Sequence, residues 1–114
     1  MAGFGNAANK FKARDLGALV LVKSVAGQIY GIQIITAGVA AFVQIFDAKQ
    51  TADVTLGTTT PDLEVQCPIN ATTTITWGNE DGVRFDQGIV IASTTAEKGA
   101  VASAAGVQAF LQYK

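Results

Sequence analysis

A chain of 114 residues in which 49% are apolar and only 15% charged fits one globular domain, with less charge than a freely soluble monomer usually carries. Low charge with much Ala, Val, Ile and Thr points to surface that a partner covers, although small apolar residues scattered over an ordinary sandwich give the same composition. The net charge of −1 argues against a nucleic-acid-binding face, and one cysteine excludes an internal disulfide and fits a reducing compartment.

Charge is uneven along the chain. Lys10, Lys12 and Arg14 place three of the eight bases in the first fourteen residues, whereas from Asp15 onward nine acids face five bases, a net of −4. A short basic arm on an acidic body suits docking to an acidic neighbour; a solvated tail has the same composition. Residues 1–15, with Gly3, Gly5, Asn6 and Asn9 around isolated Phe4 and Phe11, read as an extended N-terminal arm ahead of a domain over 16–114. The arm has room for a helical turn around Ala7–Ala13. Phe4 and Phe11 are candidate anchors in a neighbour's groove, or closers of the domain's own core. With Lys10, Lys12 and Arg14 they make up the candidate partner-binding arm. Residues 1–9 lack an apolar signal region and no stretch is long enough to span a bilayer, so the expectation is a chain made and kept in the cytosol until it is assembled.

The first strand is expected over Ala18–Lys23. Gln28–Thr36 and Val39–Asp47 follow, rich in β-branched and aromatic residues and joined by Thr36-Ala37-Gly38, and read as a buried antiparallel hairpin. By alternation, Tyr30, Ile32 and Ile34 share one face and Ile29, Gly31, Gln33 and Ile35 the other; Ala41, Val43 and Ile45 oppose Phe42, Gln44 and Phe46. Apolar residues on both faces suit central strands whose outer face is covered. Asp53–Leu56 reads as a short edge strand. In Asp62–Ile69 the residues Leu63, Val65, Cys67 and Ile69 point inward, with Pro68 marking a strand end. Thr72–Trp77 puts Thr73, Ile75 and Trp77 on one face. Asn79-Glu-Asp-Gly82 is a turn, Val83–Asp86 and Gly88–Thr94 are strands, 95–106 is a loop, and Val107–Tyr113 is the last strand. Short strands spaced by turns, with no helical crossovers, define an all-β antiparallel β-sandwich of jelly-roll type.

Catalytic chemistry is poorly supplied. No histidine is present, so the commonest general base and metal ligand are missing, and zinc is excluded by the lack of ligands. Cys67 reads as a buried structural thiol. Asp62 and Glu64 share the spacing of a paired-carboxylate site but read as a solvated face. Glu80, Asp81 and Asp86 around a glycine turn match no calcium loop, and turn chemistry accounts for them. Gly3-Phe-Gly5 is no phosphate loop, and the sequon at Asn70 has meaning only in a secreted chain. Trp77, Tyr30 and Tyr113 are the aromatics available to stack on a sugar, with core or interface as the ordinary role. No catalytic residue, metal or cofactor is expected.

The run Y-G-I-Q (Tyr30–Gln33), A-F-V-Q-I-F-D-A (Ala41–Ala48), D-V-T-L-G-T-T-T-P (Asp53–Pro61), Pro68 and G-V-R-F-D-Q-G-I-V-I-A-S-T-T (Gly82–Thr95) resembles a small β-sandwich domain of tailed-bacteriophage structural proteins. The resemblance covers about residues 18–113 and rests on strand cores and turns; residues 1–15 lie outside it. It implies a non-enzymatic virion component, first a capsid decoration (cement) protein, otherwise a neck, tail or fibre subunit. The implied partners are the major capsid protein or other virion proteins and further copies of the chain, a trimer foremost, with neither nucleic acid nor membrane. A carbohydrate-binding module for host recognition is the alternative outside that class.

Overall fold

In the computed structural model, residues 9–77, 82–103 and 106–114 are described. Among the described residues nine strands follow in chain order: β1 (Asn9–Ala13), β2 (Val20–Lys23), β3 (Gly27–Thr36), β4 (Ala41–Asp47), β5 (Leu63–Cys67), β6 (Thr72–Thr76), β7 (Val83–Phe85), β8 (Ile89–Thr94) and β9 (Val107–Tyr113). They build two antiparallel sheets packed as a sandwich. The first, sheet A, runs β1-β9-β3-β6, with β7 also on β3; the second, sheet B, runs β2-β8-β4-β5.

The expected hairpin over 28–47 does not form. β3 and β4 are consecutive in sequence but lie in different sheets, β3 between β9 and β6 and β4 between β8 and β5. Thr36-Ala37-Gly38 is an arch between the layers, not a hairpin turn. Gly38 supplies the left-handed backbone there (φ +76), and its N–H donates to Asn70 Oδ1 at 2.7 Å. Each strand thereby gains two flanking strands, and β4, apolar on both faces, is also covered on both.

Other expectations need correction. Over residues 9–13 the chain is the edge strand β1, paired with β9 from Asn9↔Tyr113 to Ala13↔Ala109, so the helical turn expected around Ala7–Ala13 is absent there. No strand occupies Asp53–Leu56. A 3-10 turn covers Thr51–Asp53, and the chain satisfies its polar groups locally, Val54 N–H donating to Thr51 O and Thr59 N–H to Thr55 O. Ile29 lies on the opposite face from the one that strict alternation gives it. The β3–β9 register slips between Ile29 and Gly31, and the extra residue Tyr30 flips the alternation, so Ile29 joins Ile32 and Ile34 in the core. Ile69 is 55% exposed because β5 ends at Cys67, ahead of Pro68. Phe4, residues 78–81 and the first part of the Ala7–Ala13 segment lie outside the described residues.

The main core lies between the sheets. Ile29, Ile32, Ile34, Ala109 and Leu111 of sheet A meet Val43, Ile45, Val65, Ile89 and Ile91 of sheet B, and Leu16 closes one end. Each such aliphatic side chain, fully removed from water, contributes about 1.5–3 kcal/mol. Leu16 is held by its own N–H donating to Val107 O at 2.8 Å. A second, smaller cluster lies on the far side of sheet B, where Phe46 and Val90 are roofed by Ala48 and Val54 with Leu19 and Leu56. The loops 48–61 and 95–103 both fold over this face. They meet where Gly57 (φ +84) approaches Ala100 so closely that a Cβ on Gly57 would stand 2.6 Å from Ala100 Cβ. Beneath them Gln44 is fully buried, its Nε2 donating to Thr94 Oγ1 at 2.8 Å and to Gly99 O at 3.3 Å. β8 is accordingly buried along its whole length, on both faces.

Candidate interaction face

Among the described residues, the outer face of sheet A carries no such roof. Alternation turns Phe11 and Ala13 of β1 toward the core and leaves Lys10 and Lys12 pointing away from it. The registers of β1, β9, β3 and β6 then line the outward residues up in rows: Lys12, Phe110, Gln33 and Thr74 in one, Lys10, Gln112, Gly31 and Thr76 in the next. Lys10, Lys12, Gln33, Thr74 and Thr76 are exposed, while Phe110 and Gln112 are half-buried. Gly31 has no side chain to fill its place in the row, and a shallow groove of about 410 Å³ opens there between Gln112 and Thr76.

The electrostatics of the face are one-sided. Lys10 and Lys12, two residues apart on one strand, leave its backbone about 7 Å apart on the same side. The Lys12 ammonium sits 5.8 Å from the centre of the Phe110 ring, a cation–π contact that keeps it against the sheet. Arg14, just beyond β1, is exposed as well. The ion pair among the described residues is the surface contact Arg84–Asp86 at 3.4 Å, so no described carboxylate neutralises the β1 bases. The acids near sheet B are occupied differently. Asp62 Oδ2 accepts from Asp47 N–H and Glu64 Oε2 from Lys98 N–H, each at 2.7 Å, so both carboxylates anchor loops. Asp47 accepts in turn from the N–H groups of Asp86, Gln87 and Gly88, pinning the β7–β8 connection.

The sequence-derived candidates therefore separate. Lys10, Lys12 and Arg14 are exposed at one edge of sheet A, Phe11 packs against the core as an inward residue of β1, and Phe4 lies outside the described residues. Trp77 and Tyr113 are partly buried against the core, and Tyr30 donates its hydroxyl to Gln28 Oε1 at 2.6 Å. Cys67 is a buried free thiol; burial pushes its pKa up, with a hydrogen bond to Thr73 acting weakly the other way. Among the described residues no three Cys, Asp or Glu side chains converge as metal ligands would. Sequence reasoning missed Gln33, Gln112, Thr74 and Gly31 as one surface, because they come from three strands whose order the sequence does not display. The chain matches no protein-family model, and no curated protein or solved structure matches it significantly.

Proposed function

We propose that this chain is a non-enzymatic structural subunit of a tailed-phage virion, a capsid decoration protein that docks on the shell through the outer face of sheet A. The observation that carries the reading is the contrast between the two outer faces: sheet B is roofed by the chain's own loops, while no described residue covers the Thr, Gln and Lys surface of sheet A with its basic edge. The strand order β1-β9-β3-β6 against β2-β8-β4-β5, with β7 prolonging the β6 edge along β3, supports reading the sandwich as two interleaved Greek keys, a jelly roll. A rigid sandwich with little charge suits a subunit packed in a lattice, and Lys10, Lys12 and Arg14 suit an acidic shell surface. A neck, tail or fibre subunit uses the same surface at lower copy number. The groove beside Phe110, lined by Gln and Thr side chains, favours a glycan-binding module as the reading outside this class.

The test is the copy number of the chain in purified particles relative to the major shell subunit, by quantitative mass spectrometry. A ratio near unity or a simple fraction of it is expected for decoration. A few copies per particle transfers the chain to the neck, tail or a fibre, and absence from particles overturns the virion reading.

A further inference from the structure

An open sheet edge presents unpaired backbone groups to any passing strand, and proteins guard such edges with charge, proline or bulges. Three edges of this sandwich are guarded. β1 carries Lys10 and Lys12; β2 ends in Lys23 with a register slip between Leu21 and Lys23; β5 carries Glu64 and stops at Pro68. The short β7 bears Arg84. β6, T-T-T-I-T over Thr72–Thr76, has neither charge nor proline, and its pairing with β3 runs without a slip.

The hydrogen-bond phase of β6 is fixed by its two ends. Trp77 N–H donates to Tyr30 O at 3.1 Å, and Thr36 N–H donates to Ala71 O at 2.9 Å, so the odd-numbered residues face β3. By the alternation of an antiparallel ladder, the N–H and C=O groups of Thr72, Thr74 and Thr76 point away from the sheet. No strand among the described residues lies on that side.

We infer that β6 is a self-pairing edge, at which a second copy of this chain adds its own β6 antiparallel about a twofold axis through Thr74. The occupant follows from the sequence of the strand. Paired about Thr74, Thr74 meets Thr74 and Thr72 meets Thr76, so one face of the junction is threonine throughout. Cross-strand threonine pairs of this kind are favourable, and an uncharged strand meets itself without the like-charge repulsion that the lysines of β1 would impose. The junction forms about six backbone hydrogen bonds. It also joins the two sheet-A faces into one surface, with the basic β1 strands at its outer ends. This pairing is independent of the virion reading and differs from the trimer that the phage resemblance implies.

Thr74→Pro is the discriminating variant, because the N–H it removes faces outward and β3 loses no hydrogen bond. The measurement is sedimentation velocity on the full chain across a concentration series, with circular dichroism to confirm the sheet. The wild type is expected to shift with concentration toward twice the 11.8 kDa chain mass, and Thr74→Pro to stay monomeric with an unchanged spectrum. Should Thr74→Pro unfold, Thr74→Lys takes its place: it sets two ammonium groups opposite each other on the axis and leaves the backbone alone, and the dimer is again lost. A wild type that stays monomeric throughout, or any dimer or trimer that persists in the folded variant, overturns the inference.

Discussion

Phe46 and Phe110 stand in equivalent places with opposite surroundings. Each is an outward-facing aromatic on an inner strand of its sheet, Phe46 on β4 and Phe110 on β9. Phe46 is 1% exposed under the loops that roof sheet B; Phe110 is half-buried on the outer face of sheet A, with Lys12 leaning over it. The comparison teaches that the outward face of a strand is core or surface according to what the connections do. Long connections, 48–62 and 95–103, bring cover to sheet B, while no described residue covers the outer face of sheet A.

The difference between the faces can be broken deliberately. Deleting residues 1–15 removes β1 with Phe11 and Ala13 and strips β9 of a neighbour, and it should lower the urea midpoint more than any single surface substitution. A deletion that melts like the full chain would mean that β1 adds nothing to the sandwich. Phe46→Ala should cost about 3–5 kcal/mol in the same assay, as for a core aromatic. Asp47→Ala, which leaves the N–H groups of Asp86, Gln87 and Gly88 without their acceptor, should cost about 1.5–3 kcal/mol.

On the open side the numbers shrink. Phe110→Ala should cost less than about 1 kcal/mol, and the double reversal Lys10→Glu with Lys12→Glu should move stability by no more than about 0.5 kcal/mol; under the proposed decoration role it should also abolish binding to undecorated particles in a pelleting assay. Equal costs at Phe46 and Phe110 would erase the distinction between the faces.

The smallest expected effect is that of Cys67. Its thiol keeps its proton in the folded chain to a higher pH than in the unfolded one, because burial disfavours the thiolate. Both states are protonated below the ordinary value of 9.0, so the contribution is fully present there. Above it the unfolded chain ionises first, and stability is lost as pH climbs from 9.0 through the raised folded value. Stability curves of the wild type and Cys67→Ser should therefore converge in alkali, and parallel curves would remove the thiol from the account.

Alternation made much of this legible in advance. The inward residues of β5, β6 and β9 follow from period-two patterning, and the apolar character of both faces of β4 anticipated a covered outer side. What period two does not contain is which strand lies beside which. β3 and β4 look like a hairpin because they are adjacent and apolar, yet the partners of β3 come from residues 72–76, 83–85 and 107–113. Strict alternation passes over the bulge that Gly31 beside Tyr30 signals, and so it puts Ile29 on the wrong face. The basic residues of the candidate face were visible as a charge cluster; their Gln and Thr companions were not, since each is unremarkable within its own strand.

The place of β9 has a consequence for how the molecule is made. It lies between β1 and β3, so sheet A cannot close until residue 113 has left the ribosome. Before that, β3 lacks one flank and β1 has no partner at all. Six of the eight connections between the described strands cross between layers, which leaves few local pairings to hold a partial structure and makes loop closure over long chain segments the slow step. The nascent chain therefore passes through a long interval with unpaired, apolar, β-prone segments exposed, when chaperones or rapid late collapse decide whether it folds or aggregates.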